Sequence, residues 1–128
     1  MMGDLTKNFS RREFRCRCGR KKCDAAPLDM RLVTALQALR DVVGHSIDVT
    51  SGVRCREHNR RVGGAPGSKH LEGIAADIQC DELTTLELKR FAEEIPAFAN
   101  GGIGIYDWGI HVDVRGKRAR WDYRTKRK

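Results

Sequence analysis

The chain has 128 residues, enough for a single domain with one modest hydrophobic core. Its 40% hydrophobic and 33% charged residues are typical of a soluble globular protein, and no apolar run approaches the roughly 20 residues of a membrane helix. The formal net charge of +8 at pH 7 favours polyanionic partners, either nucleic acid or an anionic cell wall, without choosing between them. We therefore predict one domain over residues 1–128.

The positive charge is concentrated in two segments. Residues 11–22 hold seven Arg and Lys against one Glu, and residues 115–128 hold eight against one Asp. Because basic ends are usually solvated, we expect a partly mobile tail from about residue 115 and no specific binding site there. The N-terminus lacks an apolar signal segment, which predicts synthesis in the cytoplasm.

Five cysteines cannot all pair internally, and without a signal segment reduced thiols or metal ligands are expected. Cys16, Cys18 and Cys23 are close in sequence, whereas Cys55 and Cys80 stand apart. One interpretation is a structural zinc bound by the first three cysteines, with Cys55 as the fourth ligand. The Cys-x-Cys-x4-Cys spacing is not a known finger pattern, so we favour separate thiols that bind no metal.

The first half of the chain predicts a short N-terminal helix and a long second helix. Ser10 is a helix N-cap candidate, Glu13 completes a capping box, and Phe9 with Phe14 forms a hydrophobic staple. Apolar residues then recur at the helical period over residues 28–43, and the glycine that follows is a natural C-cap.

The middle of the chain predicts two strands around a short helix and a glycine-rich loop. Residues 47–50 alternate in polarity and are rich in β-branched side chains, which is typical of a strand. Residues 55–62 fit a short helix with Asn59 and Val62 turned inward. The small and apolar residues 75–78 indicate a buried strand.

The last part of the chain predicts a helix followed by a hairpin. Residues 84–95 form an amphipathic pattern that Pro96 would end. Residues 103–106 and 110–114 indicate two strands joined by a turn at 107–109. The predicted class is α+β, an antiparallel sheet flanked by helices.

Two histidines and an aspartate form a candidate metal site. His70 and Asp77 are separated by a glycine at which the chain can turn, and His111 shares a strand face with Asp113. Two imidazoles and one carboxylate leave the fourth position of a tetrahedral zinc open, as in catalytic sites. Two other interpretations stay open: a surface histidine with a capping aspartate, and a core histidine paired with Asp113.

Several segments combine into a more specific pattern. They are Ser-Gly-Val-Arg at 51–54, Asn59, Val-Gly-Gly at 62–64, Ser-Lys-His-Leu-Glu-Gly-Ile-Ala-Ala-Asp at 68–77 and His-Val-Asp at 111–113. Together they resemble the zinc D-Ala-D-Ala carboxypeptidase family. More narrowly, the chain is similar to the small VanY-like peptidoglycan peptidases of phages and bacteria, which share a fold with the hedgehog signalling domain. The resemblance extends from about residue 8 to residue 121.

The resemblance implies roles for five residues. His70, Asp77 and His111 match the ligands of a Zn²⁺ ion. Arg54 matches an arginine that binds and polarises the substrate near the scissile bond, a role that suits a guanidinium facing a carboxylate or an oxyanion. Ser68 matches a serine that hydrogen-bonds either the substrate or a ligand residue.

The general base is less clearly marked. Many relatives place an acidic residue three positions before the last histidine, where this chain has Trp108. Asp107 is one position further away and shares a face with His111 if the strand is regular, so we predict that it is the base. Asp113 is the rival, although it is better placed to orient His111. A turn aspartate without a catalytic role is the remaining interpretation for Asp107.

The function implied by the resemblance is zinc-dependent hydrolysis of an amide bond in the stem peptides of peptidoglycan. The enzyme would be a D,D-carboxypeptidase or an endopeptidase, and its partners would be peptidoglycan stems, with no nucleic acid and no membrane. We expect a monomeric endolysin-type phage enzyme that reaches the cell wall through a holin or in a virion.

Two alternatives belong to other classes. One is a zinc-containing binding module without catalysis, as in hedgehog proteins. This alternative stays open because Trp108 stands where many relatives have the acidic residue. The other is a basic nucleic-acid-binding protein with a cysteine-based zinc site. It is disfavoured because the basic residues have little aromatic interleaving and no groove-reading helix is recognisable.

Overall fold

The computed structural model describes residues 3–19 and 23–125. Over these residues the chain forms one five-stranded sheet and four α-helices, which confirms the predicted α+β class. The strands are β1 (Asp48–Ser51), β2 (Ala75–Gln79), β3 (Gly102–Ile105), β4 (Ile110–Asp113) and β5 (Ala119–Asp122). The helices are α1 (Met30–Val43), α2 (Arg56–Arg61), α3 (Thr85–Ala92) and α4 (Pro96–Ala99). Two 3-10 turns lie at Arg11–Glu13 and Lys69–Glu72.

The sheet has the strand order β1-β2-β4-β3-β5. The first four strands in this order pair antiparallel, as the sequence predicted, and β5 pairs parallel to β3. The predicted hairpin joins β3 to β4, and in it the Tyr106 N–H donates to the Gly109 carbonyl over 2.9 Å. This order places β2 and β4, which carry Asp77 and His111, next to each other near the centre of the sheet.

Part of the predicted basic tail belongs to the sheet. Strand β5 begins only a few residues after β4, and Arg120 in it donates to both Glu93 carboxylate oxygens, over 2.9 and 2.6 Å. The segment predicted as a partly mobile basic tail therefore contains a strand at residues 119–122, which a half-buried ion pair joins to Glu93 just after α3. Residues 126–128 of that tail lie outside the described residues.

Helices α1 and α3 begin at capping side chains. The Asp29 carboxylate accepts from the Arg31 N–H over 2.8 Å at the start of α1, and Gly44 ends that helix with a left-handed backbone. Thr84 and Glu87 form a capping box at α3. Helix α3 ends at Ala92, earlier than predicted, and Pro96 starts the separate helix α4. Proline is tolerated at the first position of a helix because the N–H that it lacks would have no partner within the helix there.

One apolar core joins α1, α3 and the sheet. Its largest fully buried side chains are Phe9, Phe14, Phe98, Leu32, Leu36, Leu39, Ile78, Leu88, Ile103, Ile110, Val33 and Val112. Phe9 and Phe14 contact each other with ring centroids 6.0 Å apart, which confirms the predicted staple beside the 3-10 turn. Among the residues that the structure describes, no helix has the length and apolar character of a membrane span.

Candidate active site

The site residues lie in one row across the sheet. Ser51 of β1 pairs with Asp77 of β2, Asp77 with His111 of β4, His111 with Gly104 of β3, and Gly104 with Trp121 of β5. Side chains of directly paired residues lie on the same face of a sheet. The register alone therefore brings an acid, a histidine and an indole to one face, although they are far apart in the sequence.

His70 reaches this row from the 3-10 turn Lys69–Glu72. Ser68 caps that turn, and its Oγ accepts from the His70 N–H over 3.2 Å. The imidazole Nδ1 lies 2.7 Å from the Gly52 carbonyl oxygen, and Nε2 lies 3.1 Å from Asp77 Oδ1. Because a carbonyl only accepts, Nδ1 carries the proton and donates to it.

His111 faces the same carboxylate oxygen. Its Nδ1 lies 3.2 Å from Asp77 Oδ1, and its Nε2 lies 2.8 Å from Asp113 Oδ2. Asp113 is fully buried and also accepts from the Gly102 N–H and from Arg115. Burial alone would raise the pKa of Asp113, but hydrogen bonds from His111 and Arg115 lower it below its usual range. The carboxylate is therefore ionised and accepts the Nε2 proton of His111.

The arrangement of these donors fits a metal ion. When both rings are neutral, the second nitrogen of each points a lone pair at Asp77 Oδ1, and all three side chains belong to residues that are at most 9% exposed. Three facing lone pairs in a buried place repel one another unless a cation lies between them. Two imidazole nitrogens and one carboxylate oxygen, with a cleft beside them, are the donor set of a catalytic zinc site.

Arg54 is held against this donor set. Its Nε donates to Ser51 Oγ over 3.1 Å, its Nη1 to Asn59 Oδ1 over 3.1 Å and its Nη2 to Asp77 Oδ2 over 3.2 Å. Asn59 is itself fixed, since its Nδ2 donates to the Ala65 carbonyl over 2.9 Å. The contacts described use three of the five guanidinium N–H groups, so others remain for a bound substrate.

A cleft of about 650 Å³ opens beside the site. Trp121 covers His111, with ring centroids 5.1 Å apart, and donates from Nε1 to the Tyr106 hydroxyl over 2.8 Å. The indole lies directly on β3 because Gly104 has no side chain, and a Cβ there would collide with Trp121 Nε1. Tyr106 stacks on Trp108 at 4.8 Å and extends this aromatic wall towards solvent.

The structure thus brings together most of the residues that the sequence singled out. His70, Asp77 and His111 converge, Arg54 contacts Asp77, and Ser68 positions His70. Asp113 contacts His111 and does not line the cleft.

Asp107 is not brought to this group. Its side chain is exposed, and its carboxylate accepts from the Thr125 N–H over 3.2 Å and from the Thr125 hydroxyl over 2.7 Å. The expectation that a regular strand would turn Asp107 towards the metal fails here because β3 ends at Ile105 and β4 begins at Ile110, so Asp107 belongs to the turn.

Three functional features were missed from the sequence. Trp121 and Tyr106 wall the cleft, and the Gly52 carbonyl sets the tautomer of His70. A fifth strand at residues 119–122 would have identified Trp121 as the residue paired with Gly104. The available signal was the short apolar–polar alternation Ala-Arg-Trp-Asp, which lies within a strongly basic segment. Asn59 was expected to face inward, which is correct, but its bond to Arg54 was not foreseen.

Comparison with known proteins agrees with this geometry. A protein-family model described as Peptidase M15 matches residues 7–113, a span that contains the three converging side chains and Arg54. A search of curated proteins found no match.

Proposed function

Because the chain belongs to the peptidase M15 family, we propose that it is a zinc-dependent peptidase that cuts an amide bond in the peptide stems of peptidoglycan. The family is one of metallopeptidases, and the fold and the metal-ligand geometry agree with it. The observation that carries the proposal is the convergence of His70 Nε2 and His111 Nδ1 on Asp77 Oδ1 beside an open cleft. The peptidoglycan substrate rests on the sequence resemblance.

His70, Asp77 and His111 would hold the metal. A zinc ion there supplies Lewis acidity, which activates water as a nucleophile and polarises the scissile carbonyl. The Gly52 carbonyl and the Asp113 carboxylate fix the ring orientations of the two histidines, so the nitrogens that bind metal are set before it arrives.

Two guanidinium groups at the cleft would bind the anionic parts of the substrate. Arg54 lies against Asp77, and Arg115 is paired with Asp113 and lies 5.5 Å from the centre of the Trp121 ring. Both line the cleft, where their positive charge favours a terminal carboxylate and the oxyanion that forms during amide hydrolysis. We assign Arg54 to the oxyanion because it is the guanidinium in contact with a ligand residue.

The cleft has room for a peptide on both sides of Arg54. A second cleft of about 800 Å³ adjoins the first and shares Arg54 and Gly64 with it. Volumes of this order suit a ligand of several residues. An extended stem peptide could therefore pass Arg54 and place its scissile bond at the metal ligands, which suits an endopeptidase as well as a carboxypeptidase.

No uncommitted carboxylate is available as a general base in the described cleft. Among the described residues that line it, Asp77 is the only acid, and its two oxygens face the histidines and Arg54. We therefore assign Asp113 to orienting His111 and assign no base. Asp107 would have to leave Thr125 to take that role.

The lack of an uncommitted carboxylate among the described residues of the cleft favours a second candidate function. A zinc site without a proton acceptor would bind peptidoglycan stems and not cut them, as a binding module of the same fold. In either case we propose that the protein acts at the cell wall and not on nucleic acid, and that a monomer reaches the wall through a holin or in a virion.

Digestion of purified peptidoglycan tests the proposal. Zinc-loaded protein is incubated with intact sacculi and with isolated stem peptides, and the products are identified by mass spectrometry. Loss of a terminal D-Ala indicates a carboxypeptidase, and conversion of cross-linked dimers to monomers indicates an endopeptidase. His70→Ala should be inactive, whereas His45→Ala, which removes an exposed histidine far from the ligand set in sequence, should cut at the wild-type rate.

Zinc-loaded wild type that co-sediments with sacculi but releases no fragment would contradict the enzyme and support the binding module. Absence of both cleavage and co-sedimentation would contradict both candidates.

A further inference from the structure

A second cluster of metal-ligating side chains lies outside the active site. The Sγ atoms of Cys16, Cys18, Cys23 and Cys55 all lie within 4.8 Å of one another. The first three belong to the segment that follows the 3-10 turn Arg11–Glu13, and Cys55 is the N-cap of α2. We propose that these four cysteines, called here the thiol site, bind a structural Zn²⁺ ion that is separate from the ion of the active site.

The distances suit a single tetrahedral ion. Zinc–sulfur bonds of about 2.3 Å place the four sulfurs of a four-cysteine site ~3.8 Å apart. The four sulfurs all lie within 4.8 Å of one another, which is compatible with that arrangement. A disulfide would bring two of the sulfurs to about 2.05 Å, but none of the described cysteines forms one. A shared zinc site therefore takes the place of the sequence interpretation of separate thiols. The local spacing supplies only three cysteines, and the fold places Cys55 beside them as the fourth.

The surroundings of the sulfurs fit thiolate ligands. The Cys55 N–H donates to Cys16 Sγ over 3.3 Å, and the His58 N–H donates to Cys55 Sγ over 3.4 Å. Backbone N–H groups directed at sulfur stabilise metal-bound thiolates. Cys18 and Cys55 are buried and the other two are half-buried, so all four ligand positions are filled by the protein, as in structural zinc sites.

The thiol site joins two parts of the chain that the active site needs. From Phe14 to Cys23 the described residues form neither helix nor strand, so the segment is held by contacts with other parts of the chain. It is packed closely on the loop after β1, since the Val53 N–H donates to the Phe14 carbonyl over 2.8 Å and a Cβ on Gly52 would lie 2.5 Å from that carbonyl oxygen. That loop supplies the Gly52 carbonyl that holds His70, and it supplies Arg54, the neighbour of Cys55. A metal at the thiol site would therefore keep both in place.

Metal counting on the whole protein tests this inference. Protein purified under reducing conditions in the presence of zinc should hold two Zn²⁺ per chain by elemental analysis. Cys18→Ala should hold one, and so should His70→Ala. Cys80→Ala is the matched control, because Cys80 is a thiol buried to the same degree as Cys18 but outside the cluster, and this variant should hold two.

Cobalt substitution identifies which ion is lost. The Co²⁺ form of the wild type and of His70→Ala should show an intense sulfur-to-cobalt charge-transfer band in the near ultraviolet, and Cys18→Ala should lose it. Two zinc ions with failed hydrolysis would contradict the proposed function and leave the thiol site standing. Active protein with a single zinc that His70→Ala removes would overturn the thiol site and leave the function standing.

A measurement on the wild type does not depend on the folding of any variant. Titration of the native protein with a mercurial should release one zinc as four thiols react, detected with a zinc-sensitive dye. Reaction of these thiols without zinc release, a mass four units lower that indicates two disulfides, or bound iron in place of zinc would each overturn the assignment.

Discussion

The active-site ligands and the thiol site are assembled by the chain in opposite ways. Asp77 and His111 are neighbours in the sheet register, and His70 lies in a turn capped by the Ser68 side chain, so hydrogen bonds of the fold place these ligands before any metal binds. The thiol site takes three of its ligands from a segment without helix or strand among the described residues. There the metal would have to organise the chain.

The two sites also differ in the number of ligands and in access. Three protein ligands beside a cleft of about 650 Å³ leave a position for water or substrate, whereas four sulfurs complete a tetrahedron. Loss of metal should therefore abolish activity with little loss of fold at one site, and loosen the fold at the other. The predictions below test this contrast.

The largest effect is expected from removing an active-site ligand. His111→Ala should reduce peptidoglycan cleavage by at least ~1000-fold, because the Lewis acid that supplies several kcal/mol of transition-state stabilisation is lost. The circular dichroism spectrum should remain that of the wild type, because the sheet register does not depend on the metal. Cleavage rate and zinc content are measured together, with His45→Ala as the control. A His111→Ala protein that is unfolded would contradict the claim that this site is organised before metal binds.

The second prediction concerns the thiol site, where loss of a ligand should lower the stability of the fold. Cys18→Ala should lower Tm by on the order of 10 °C, because the folding free energy that a structural zinc contributes is lost. Cys80→Ala removes a thiol of equal burial and should lower Tm by a smaller amount. Differential scanning calorimetry with and without added zinc measures both. Equal shifts for the two variants would mean that the four thiols contribute only packing.

A third prediction distinguishes the two aspartates near the active site. Asp113→Asn should weaken zinc binding or activity by about 10- to 100-fold, since Asp113 fixes the ring of His111. Asp107→Asn should stay within about tenfold of the wild type, because its carboxylate is bound to Thr125. The measurements are kcat/KM and zinc affinity by competition with a chelator. An Asp107→Asn loss of about 10²- to 10⁴-fold at full zinc content would instead identify Asp107 as the general base.

Local patterns were enough to predict the elements that build the active site. The apolar period of α1, the amphipathic pattern of α3 and the alternation in β4 each depend on neighbours in sequence, and all three elements form. His70, Asp77 and His111 could be singled out because their residue types and spacing form a recognisable pattern, and the sheet register then brings them together.

The features that were missed depend on contacts between distant residues. Strand β5 has the sequence Ala-Arg-Trp-Asp, an alternation of only four residues within a strongly basic segment. It is held by the Arg120–Glu93 pair and by the indole of Trp121 on Gly104. Val62, expected to face inward, is half exposed, because α2 ends just before it. The fourth cysteine of the thiol site likewise arrives only through tertiary packing.

The smallest effect tests how firmly Trp121 is fixed over the sheet. The ion pair with Arg120 lowers the pKa of Glu93 from its ordinary 4.5 to about 2, and Arg120 precedes Trp121 in β5. Since the folded state lowers this pKa, the pair stabilises the fold fully above pH 4.5, and its contribution disappears as the pH falls towards 2.

Glu93→Gln should therefore lower the free energy of unfolding by about 1 kcal/mol at pH 7, a value reduced by partial solvation of the carboxylate. The difference from wild type should shrink to nothing as the pH falls from 4.5 towards 2. Urea unfolding at a series of pH values measures it, and the exposed neighbour Glu94→Gln is the control. A Glu93→Gln deficit that does not change with pH would mean that the side chain stabilises β5 by packing, and that the wall of the active site does not depend on this charge.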